Sequence, residues 1–290
     1  MNQTTAPMTE PQVKYITKLA RKQMSRIGFV YFAGTILLVA LELSLSMLFL
    51  FGNPDGDYDS SILIFFNLIL RFILGYPLML CLIHLVEKGK PIPQKKMKAG
   101  SIFIAFFMAY AMAMIMNIVG LLLTSIINAF QSGVDTTDLQ DTLLALPSVW
   151  LILFVCVGAP VFEELIFRKA LVDRAIYCGE GIAIAMSGVM FGLFHGNLNQ
   201  FVYAAALGAF FAFIYVRTGK IRYTMILHAM VNSMATIGTL LLKMFSEGTT
   251  GYLEGTETLA SVSSLDLYGL LRDPLSGAMY LGGALGLCVW

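Results

Sequence analysis

Two adjacent glutamates stand at the end of an apolar run, where carboxylates are costly unless they are paired or do chemistry. In the stretch FEELIFRKAL, Glu163 and Glu164 come directly after the apolar residues 149–162. Residues four apart share a helix face, so Glu164 can pair with Arg168, whereas Glu163 is turned by about 100°. The spacing predicts that arginine neutralises Glu164 while Glu163 faces a cavity. The alternative for this motif alone is a cap of charges at a membrane interface.

Two later motifs place polar side chains inside apolar segments. They are FxxxH, Phe191–His195, and HxxxN, His228–Asn232, and in each the two side chains share a helix face. Taken alone, each histidine can bond a neighbouring backbone and the asparagine can join helices. Together with Glu163, they supply a general base for water, two imidazoles that transfer protons and an amide donor for an oxyanion. Chemistry needs such a set, and packing does not.

The same side chains also offer a metal site as an alternative. A carboxylate and two imidazoles, here Glu163, His195 and His228, match a zinc ligand set with one position open for water. The expectation is therefore a reaction without a cofactor, with Zn²⁺ as the alternative. The four cysteines form no CxxC or Cys/His cluster, so neither a zinc knuckle nor a disulfide framework is indicated.

The composition indicates what kind of chain must position these residues. Of 290 residues, 58% are hydrophobic and 13% are charged, and the mean hydropathy is +0.77. Soluble domains carry roughly 25% charged residues, so this is a polytopic membrane protein. The net charge is +1, and no basic patch is interleaved with aromatics, so nucleic acid is not an expected partner. The expected partners are membrane lipid and a peptide or protein substrate at the membrane.

The apolar runs predict an all-α, polytopic transmembrane bundle of about eight spans, with the chemistry in the later helices. A span needs about 20 mostly apolar residues. The candidates are 27–51, 62–85, 101–129, 143–166, 182–199, 201–216, 222–244 and 275–290. Residues 1–26 are then an N-terminal tail, either a short interfacial helix or disordered, and 27–290 form one transmembrane domain.

The charges between the spans predict the orientation. Basic segments at 14–26, 88–98, 168–174 and 217–222 alternate with acidic segments at 55–59, 135–141 and 247–257. The positive-inside rule then puts the N-terminus in the cytoplasm, and the expected location is a bacterial cell membrane. Within the first two spans, Glu42 and Arg71 are expected either to pair or to snorkel to an interface.

The depth of the site residues demands one adjustment of these spans. If the fourth span ended near Arg168, Glu163 would lie close to the cytoplasmic face while His195 lay ~20 Å deep, and the two could not meet. We therefore predict that this helix continues through Lys169–Tyr177 and stops at Gly179. His228 is only six residues past Arg222, so either the loop before it must dip inward or the HxxxN helix must tilt.

In this order on successive late spans, EExxxR, FxxxH and HxxxN resemble the CPBP superfamily. These intramembrane endopeptidases include type II CAAX prenyl proteases and bacterial Abi proteins tied to bacteriocin processing and immunity. The resemblance covers about residues 145–240, where HGNLNQF and RTGKIRYTMILHAMVNS also look like members. It implies an endopeptidase core with water-activating Glu163, its supporting neighbours Glu164 and Arg168, the essential histidines His195 and His228, the oxyanion donor Asn232, and the motif aromatic Phe191.

Three other functions stay open from the sequence. Related folds include non-catalytic members, such as a scaffold subunit of gamma-secretase, and some bacterial members confer immunity by binding a partner. A zinc-dependent version of the same protease is the second alternative. A transporter or channel is the third, and it is disfavoured because the polar residues gather at one focus and no inverted repeat of broken helices is visible.

Overall fold

The computed structural model describes residues 9–53, 60–130, 148–196 and 198–253, and every regular element in these ranges is helical. Seven helical segments follow one another there: α1 (Glu10–Gly52), α2 (60–83), α3 (Ala99–Phe130), α4 (Ser148–Cys178), α5 (Glu180–Phe194), α6 (Leu198–Thr218) and α7 (Ile221–Leu253). The predicted all-α class is therefore confirmed.

Five of these helices are long and apolar enough to cross a membrane, namely α1, α2, α3, α4 and α6. Helix α5 is apolar but has only 15 residues, and α7 contains the predicted span 222–244. The predicted span 275–290 lies outside the described residues. The membrane-spanning helical bundle is confirmed, and its span count agrees approximately with the sequence estimate.

Helix α1 begins well before the first apolar run. Its first residue is Glu10, and the side chain of Gln12 accepts a hydrogen bond from the Thr9 backbone amide at 2.9 Å, which caps the start. Residues 10–26 are thus helical and continuous with the predicted span 27–51. Of the two alternatives for the tail, the structure has the helical one over these residues.

Helix α4 carries both glutamates and is not uniformly α-helical. Two wider, π-helical stretches, Ile152–Gly158 and Leu165–Ala170, flank the α-helical turn Ala159–Glu164. Such π-helical insertions are frequent at functional sites. The second stretch is anchored from outside, because the Tyr31 hydroxyl donates to the Ile166 carbonyl at 2.6 Å and the Ser187 hydroxyl donates to the Phe167 carbonyl at 2.8 Å.

The end of α4 confirms the predicted extension past Arg168. The helix runs on to Cys178, and Gly179 has φ 111°, a backbone conformation that only glycine adopts without strain. Because Glu163 and His195 lie equally far from Gly179 along the chain, the antiparallel helices α4 and α5 bring them to the same depth.

Close contact between α5 and α6 fixes the helix that leads to His195. A Cβ on Gly188 would lie 2.6 Å from the Ala205 carbonyl oxygen, and one on Gly192 would lie 2.7 Å from the Phe201 carbonyl oxygen. Only glycine allows the two backbones to approach this closely. The register between these helices is therefore set by small residues.

The connection between α2 and α3 covers the start of α7. The Lys95 amide donates to the Thr218 carbonyl at 2.8 Å, and the Met97 amide donates to the Tyr223 hydroxyl at 3.1 Å. Tyr223 and Thr224 are buried as a result. Arg222 in the same turn stays exposed, and one turn further along the helix His228 comes within 3.8 Å of Glu163.

Candidate active site

The four side chains that the sequence assigned to chemistry line one cavity. Glu163, His195, His228 and Asn232 all contribute to its wall, and Phe191 lines it as well. Its volume is about 170 Å³, enough for several water molecules. Glu164 and Arg168 lie outside the wall and are fully buried. The two adjacent glutamates therefore have different surroundings, as the helical spacing predicted.

Glu163 faces the cavity with few partners. Its Oε1 accepts a hydrogen bond from the Tyr76 hydroxyl at 3.3 Å, and its Oε2 lies 3.8 Å from the His228 Nε2. The residue is 8% exposed. Because neither contact is short, the carboxylate keeps hydrogen-bonding capacity for a water molecule in the cavity.

Glu164 is held on both of its oxygens. Its Oε2 lies 3.2 Å from the Arg168 Nε, which confirms the predicted i,i+4 pair. Its Oε1 lies 2.9 Å from the His228 Nδ1, a contact that the spacing alone could not predict. Glu164 thus joins the EExxxR motif on α4 to the HxxxN motif on α7.

Arg168 is neutralised by charge and by aromatic faces rather than by hydrogen bonds. None of its three guanidinium nitrogens meets a hydrogen-bond acceptor in good geometry among the described residues. Its guanidinium carbon lies 4.4 Å from the centroid of the Phe191 ring and 5.5 Å from that of Phe211. A desolvated arginine on an aromatic face gains about 2 kcal/mol, which offsets part of its burial.

Phe191 also packs its ring edgewise against both histidines. The ring centroids are 4.9 Å apart for His195 and 5.7 Å apart for His228, with interplanar angles of 83° and 89°. The aromatic of the FxxxH motif therefore fixes the two imidazoles and Arg168 relative to one another.

The hydrogen bonds of the two histidines define their tautomers. The His195 Nδ1 lies 2.8 Å from the Phe191 carbonyl oxygen, which can only accept, so Nδ1 carries a proton. The His228 Nδ1 faces Glu164, and when that carboxylate is ionised, this nitrogen also carries a proton. In the neutral rings, Nε2 is then the basic nitrogen of each imidazole.

Asn232 is positioned by a carbonyl that Pro160 leaves without a partner. In the π-helical stretch, the Ala159 amide donates to the carbonyl of Phe154, five residues earlier. The next carbonyl, that of Val155, would need the amide of residue 160, but proline has none. The Asn232 Nδ2 donates to this carbonyl at 3.0 Å, which leaves its second amide hydrogen for another acceptor.

Two further parts of the wall are absent from the sequence-based site. Tyr76 donates to Glu163, but a tyrosine in an apolar run looks like an ordinary interfacial aromatic. Arg71 also lines the cavity and forms a bidentate pair with Glu42, with Nε–Oε1 and Nη2–Oε2 distances of 2.8 and 3.0 Å. Of the two alternatives for Glu42 and Arg71, pairing is therefore the observed one. Their charge within an apolar span was the feature of the sequence that singled them out.

The zinc alternative requires three ligands around one point. Within the described residues, no group of three or more His, Cys, Asp or Glu side chains is arranged to hold a metal ion. The zinc alternative at Glu163, His195 and His228 therefore stays a prediction from the types of these side chains.

Comparison with known proteins shows what the later helices resemble. Residues 145–234 match the family described as type II CAAX prenyl endopeptidase, Rce1-like. The chain is 31% identical over 128 residues to "Putative membrane peptidase YdiL" of Bacillus subtilis (strain 168), over 43% of this chain and 48% of that protein. It is 27% identical over 142 residues to "Membrane-embedded CAAX protease MroQ" of Staphylococcus aureus (strain USA300), over 46% of this chain and 57% of that protein.

The chain thus spans about half the length of the curated relatives that it matches. No solved structure matches it significantly. The matched segment contains all three motifs and the whole set of candidate side chains from α4, α5 and α7. The resemblance drawn from those motifs is therefore confirmed: residues 145–234 of this integral membrane protein are similar to the Rce1-like type II CAAX prenyl endopeptidases.

Proposed function

We propose that this chain is a membrane-embedded endopeptidase in which Glu163 activates water as a general base. One observation carries the proposal: Glu163, His195, His228 and Asn232 line one cavity, while Glu164 stands outside it, held by arginine. Packing alone does not require four polar side chains around one small space inside an apolar bundle. The protease family of residues 145–234 supports the same activity.

The proton and charge transfers of the reaction can be assigned to these groups. Glu163 takes a proton from the cavity water, assisted by one of the two histidines, as the water oxygen attacks the peptide carbonyl carbon. The carbonyl oxygen becomes an oxyanion, which the second amide hydrogen of Asn232 stabilises together with an imidazole. The C–N bond then breaks as the proton passes from Glu163 to the leaving amine, directly or through the nearby His228 Nε2.

Tyr76 supports the same step in this scheme. Its hydroxyl donates to Glu163 Oε1 and leaves Oε2 to face the water and His228. Glu164, in turn, keeps the proton of His228 on Nδ1, so that Nε2 points to the cavity as a base. Arg168 compensates the charge of Glu164 within the protein.

We propose that the substrates are peptides or proteins at the membrane, including prenylated or precursor peptides. One relative is named a CAAX protease and another a membrane peptidase, which supports this substrate class. The alternation of basic and acidic connections supports a bacterial cell membrane with the N-terminus in the cytoplasm. Substrates then enter the cavity from the cytoplasm or from the membrane interface.

The test is proteolysis by the purified protein in liposomes. The substrates are a fluorogenic prenylated peptide and a mixed library of membrane peptides, and the variants are wild type, Glu163→Gln and Glu164→Ala, each with and without a zinc chelator. We expect Glu163→Gln to lose at least about 100-fold in kcat, because a general base contributes 10²- to 10⁴-fold. Chelator should change nothing.

The matched control is Glu180→Gln, a change of an exposed glutamate that pairs with Arg217. It should cut like wild type. The contrary result is that no substrate is cut, while Glu163→Gln still folds and still confers on cells the same immunity or scaffolding function as wild type. The cavity then serves binding rather than hydrolysis, and the chain is a scaffold or immunity protein. Loss of activity with chelator and its recovery with zinc would establish the metal-dependent alternative.

A further inference from the structure

The helices of the bundle share one strongly basic end. The Gly89 amide donates to the Asp173 carbonyl at 2.7 Å, and the Lys95 amide donates to the Thr218 carbonyl at 2.8 Å. These bonds bring the connection after α2 against the ends of α4 and α6. This end of the bundle, called the basic side below, carries the basic segments 14–26, 88–98, 168–174 and 217–222.

The cavity extends from Glu163 away from the basic side. Glu163 is the middle residue of α4 and lies roughly 20 Å from the basic end of that helix. The other wall residues of α4 are Phe154, Val155 and Ala159, which all precede Glu163, and no residue of α4 after Glu163 belongs to the wall. On α6, the wall residues all fall in the first half of the helix, which is the half farther from the basic side.

Between Glu163 and the basic side, packed side chains close the interior. Glu164, Phe167, Arg168 and Leu171 on α4 are all fully buried, and none of them lines the cavity. The Phe167 ring lies edgewise on the ring of Phe191, with centroids 5.2 Å apart, and Arg168 covers the same ring. A peptide that came from the basic side would have to break this layer to reach Glu163.

A second layer closes the interior nearer to the basic side. The Arg174 Nε donates to the Val86 carbonyl at 2.7 Å, and its Nη1 donates to the Ala170 carbonyl at 2.9 Å. The Tyr215 hydroxyl donates to the Asp173 Oδ1 at 2.7 Å. Arg174 and Tyr215 are both buried. The polar groups of this half therefore bind one another and join the helices.

The opposite half of the cavity offers polar groups at the wall. Asn232 follows His228 by one turn on α7, and Arg71 precedes Tyr76 by five residues on α2, so both lie farther from the basic side than the two residues that contact Glu163. Gln200, in the first turn of α6, also lines the wall there. A peptide inside an apolar bundle needs such groups, because its backbone cannot stay without hydrogen bonds.

We propose that the cavity receives its substrate from the extracytoplasmic side and that this substrate is an exported precursor peptide. The positive-inside rule places the basic side in the cytoplasm, so the closed half faces inward and the polar half of the cavity faces outward. The proposal rests on the proposed function and on the orientation given with it. Of the routes named there, it selects the membrane interface, on the outer side, and excludes the cytoplasm.

The first experiment measures the side from which a cysteine in the cavity wall reacts. The four native cysteines are replaced by alanine, and single cysteines are introduced by Gln200→Cys in the wall, by Lys96→Cys on the basic side and by Asn53→Cys at the opposite end of α1. A small, membrane-impermeant sulfonate thiol reagent is added to spheroplasts or to inside-out vesicles. The thiols that remain are then labelled with a fluorescent maleimide after denaturation.

We expect Gln200→Cys to lose its fluorescent label in spheroplasts and to keep it in inside-out vesicles, as Asn53→Cys does. Lys96→Cys should show the reverse. Leu68→Cys, a second wall position on α2, should behave like Gln200→Cys and replaces it if that variant does not fold. Reaction of the wall positions from the side of Lys96→Cys, or from neither side, would overturn the proposal. Reversal of the two end markers would also overturn it, because the basic side would then face outward.

Proteolysis from one side is a separate test. A membrane-impermeant fluorogenic peptide is added to spheroplasts or inside-out vesicles that contain wild type or Glu163→Gln. Cleavage in spheroplasts alone, lost in Glu163→Gln, is the expected result, and cleavage in inside-out vesicles alone would contradict it. If neither preparation cuts, the proposed function fails, whereas the labelling still decides whether the cavity is reached from outside.

Discussion

One imidazole connects the two adjacent glutamates: the His228 Nδ1 lies 2.9 Å from Glu164 Oε1, and its Nε2 lies 3.8 Å from Glu163 Oε2. The contact to Glu164 is a short hydrogen bond, whereas the contact to Glu163 leaves room for rearrangement. Consecutive carboxylates on α4 therefore hold opposite sides of one ring on α7. This relationship is what the proposed roles require, with Glu164 orienting the imidazole and Glu163 facing the water.

The first prediction concerns Glu164→Gln. The change leaves Arg168, a fully buried cation, without its counter-charge, and breaking a buried pair costs about 3–5 kcal/mol. It also removes the charge that keeps the proton on the His228 Nδ1. We expect a lower unfolding temperature in detergent and a loss of proteolytic rate.

The double variant Glu164→Gln/Arg168→Met separates these two effects. It removes both buried charges together, which is often close to neutral for stability. We expect stability to recover and activity to stay low, because His228 still lacks its anionic partner. Recovery of both would show that Glu164 acts on stability alone.

The second prediction concerns Tyr76→Phe, which removes one hydroxyl and keeps the packed ring. The lost hydrogen bond to Glu163 is long at 3.3 Å, so it is worth about 1 kcal/mol, or roughly fivefold in rate. We expect kcat to fall by about that factor while KM is unchanged, since the hydroxyl orients the base rather than the substrate. Tyr215→Phe, which removes a hydroxyl bonded to Asp173, is the matched control and should not change kcat.

The third prediction joins Asn232 to Pro160. Asn232→Ala leaves the Val155 carbonyl without a donor inside the bundle, which costs about 1–3 kcal/mol. Pro160→Ala restores a backbone amide at the position that this carbonyl lacks. In the Pro160→Ala background, Asn232→Ala should therefore cost less stability, and a double-mutant cycle of unfolding free energies measures the coupling. Strict additivity of the two changes would contradict the proposed link.

The parts of the fold that the sequence predicted are those governed by local spacing. Helical periodicity is enough to pair Glu164 with Arg168, and equal distances along the chain from Gly179 are enough to match the depths of Glu163 and His195. The hydrophobic composition is enough to predict a helical membrane bundle. Each of these follows from a single helix or from one tight connection.

Contacts between distant segments could not be predicted from the sequence. The bond from Tyr76 to Glu163 joins residues 87 apart, and the bond from His228 to Glu164 joins residues 64 apart. No periodicity relates such positions, because their meeting depends on how separate helices pack. The Asn232 contact is an instructive intermediate case: the missing amide of Pro160 is visible in the sequence, but its substitute donor is not.

The fourth prediction concerns the glycines that hold α5 against α6. A Cβ at Gly192 would lie 2.7 Å from the Phe201 carbonyl oxygen, and this oxygen belongs to backbone that cannot rotate away. Gly192→Ala must therefore push the helices apart, at a cost of about 1–3 kcal/mol. The shift also moves the C-terminal end of α5, and with it His195, which directly follows the helix and lines the cavity. We therefore expect a lower free energy of unfolding together with a lower kcat.

Gly181→Ala is the control for this prediction, because it lies in the same helix and its added Cβ meets nothing within 4 Å. Alanine is the better helix former by about 1 kcal/mol, so this variant should be neutral or slightly more stable, with unchanged activity. The measurements are thermal unfolding in detergent and proteolytic rate in liposomes. Equal behaviour of the two variants would show that α5 and α6 tolerate a wider separation than their close contact implies, and that His195 does not depend on it.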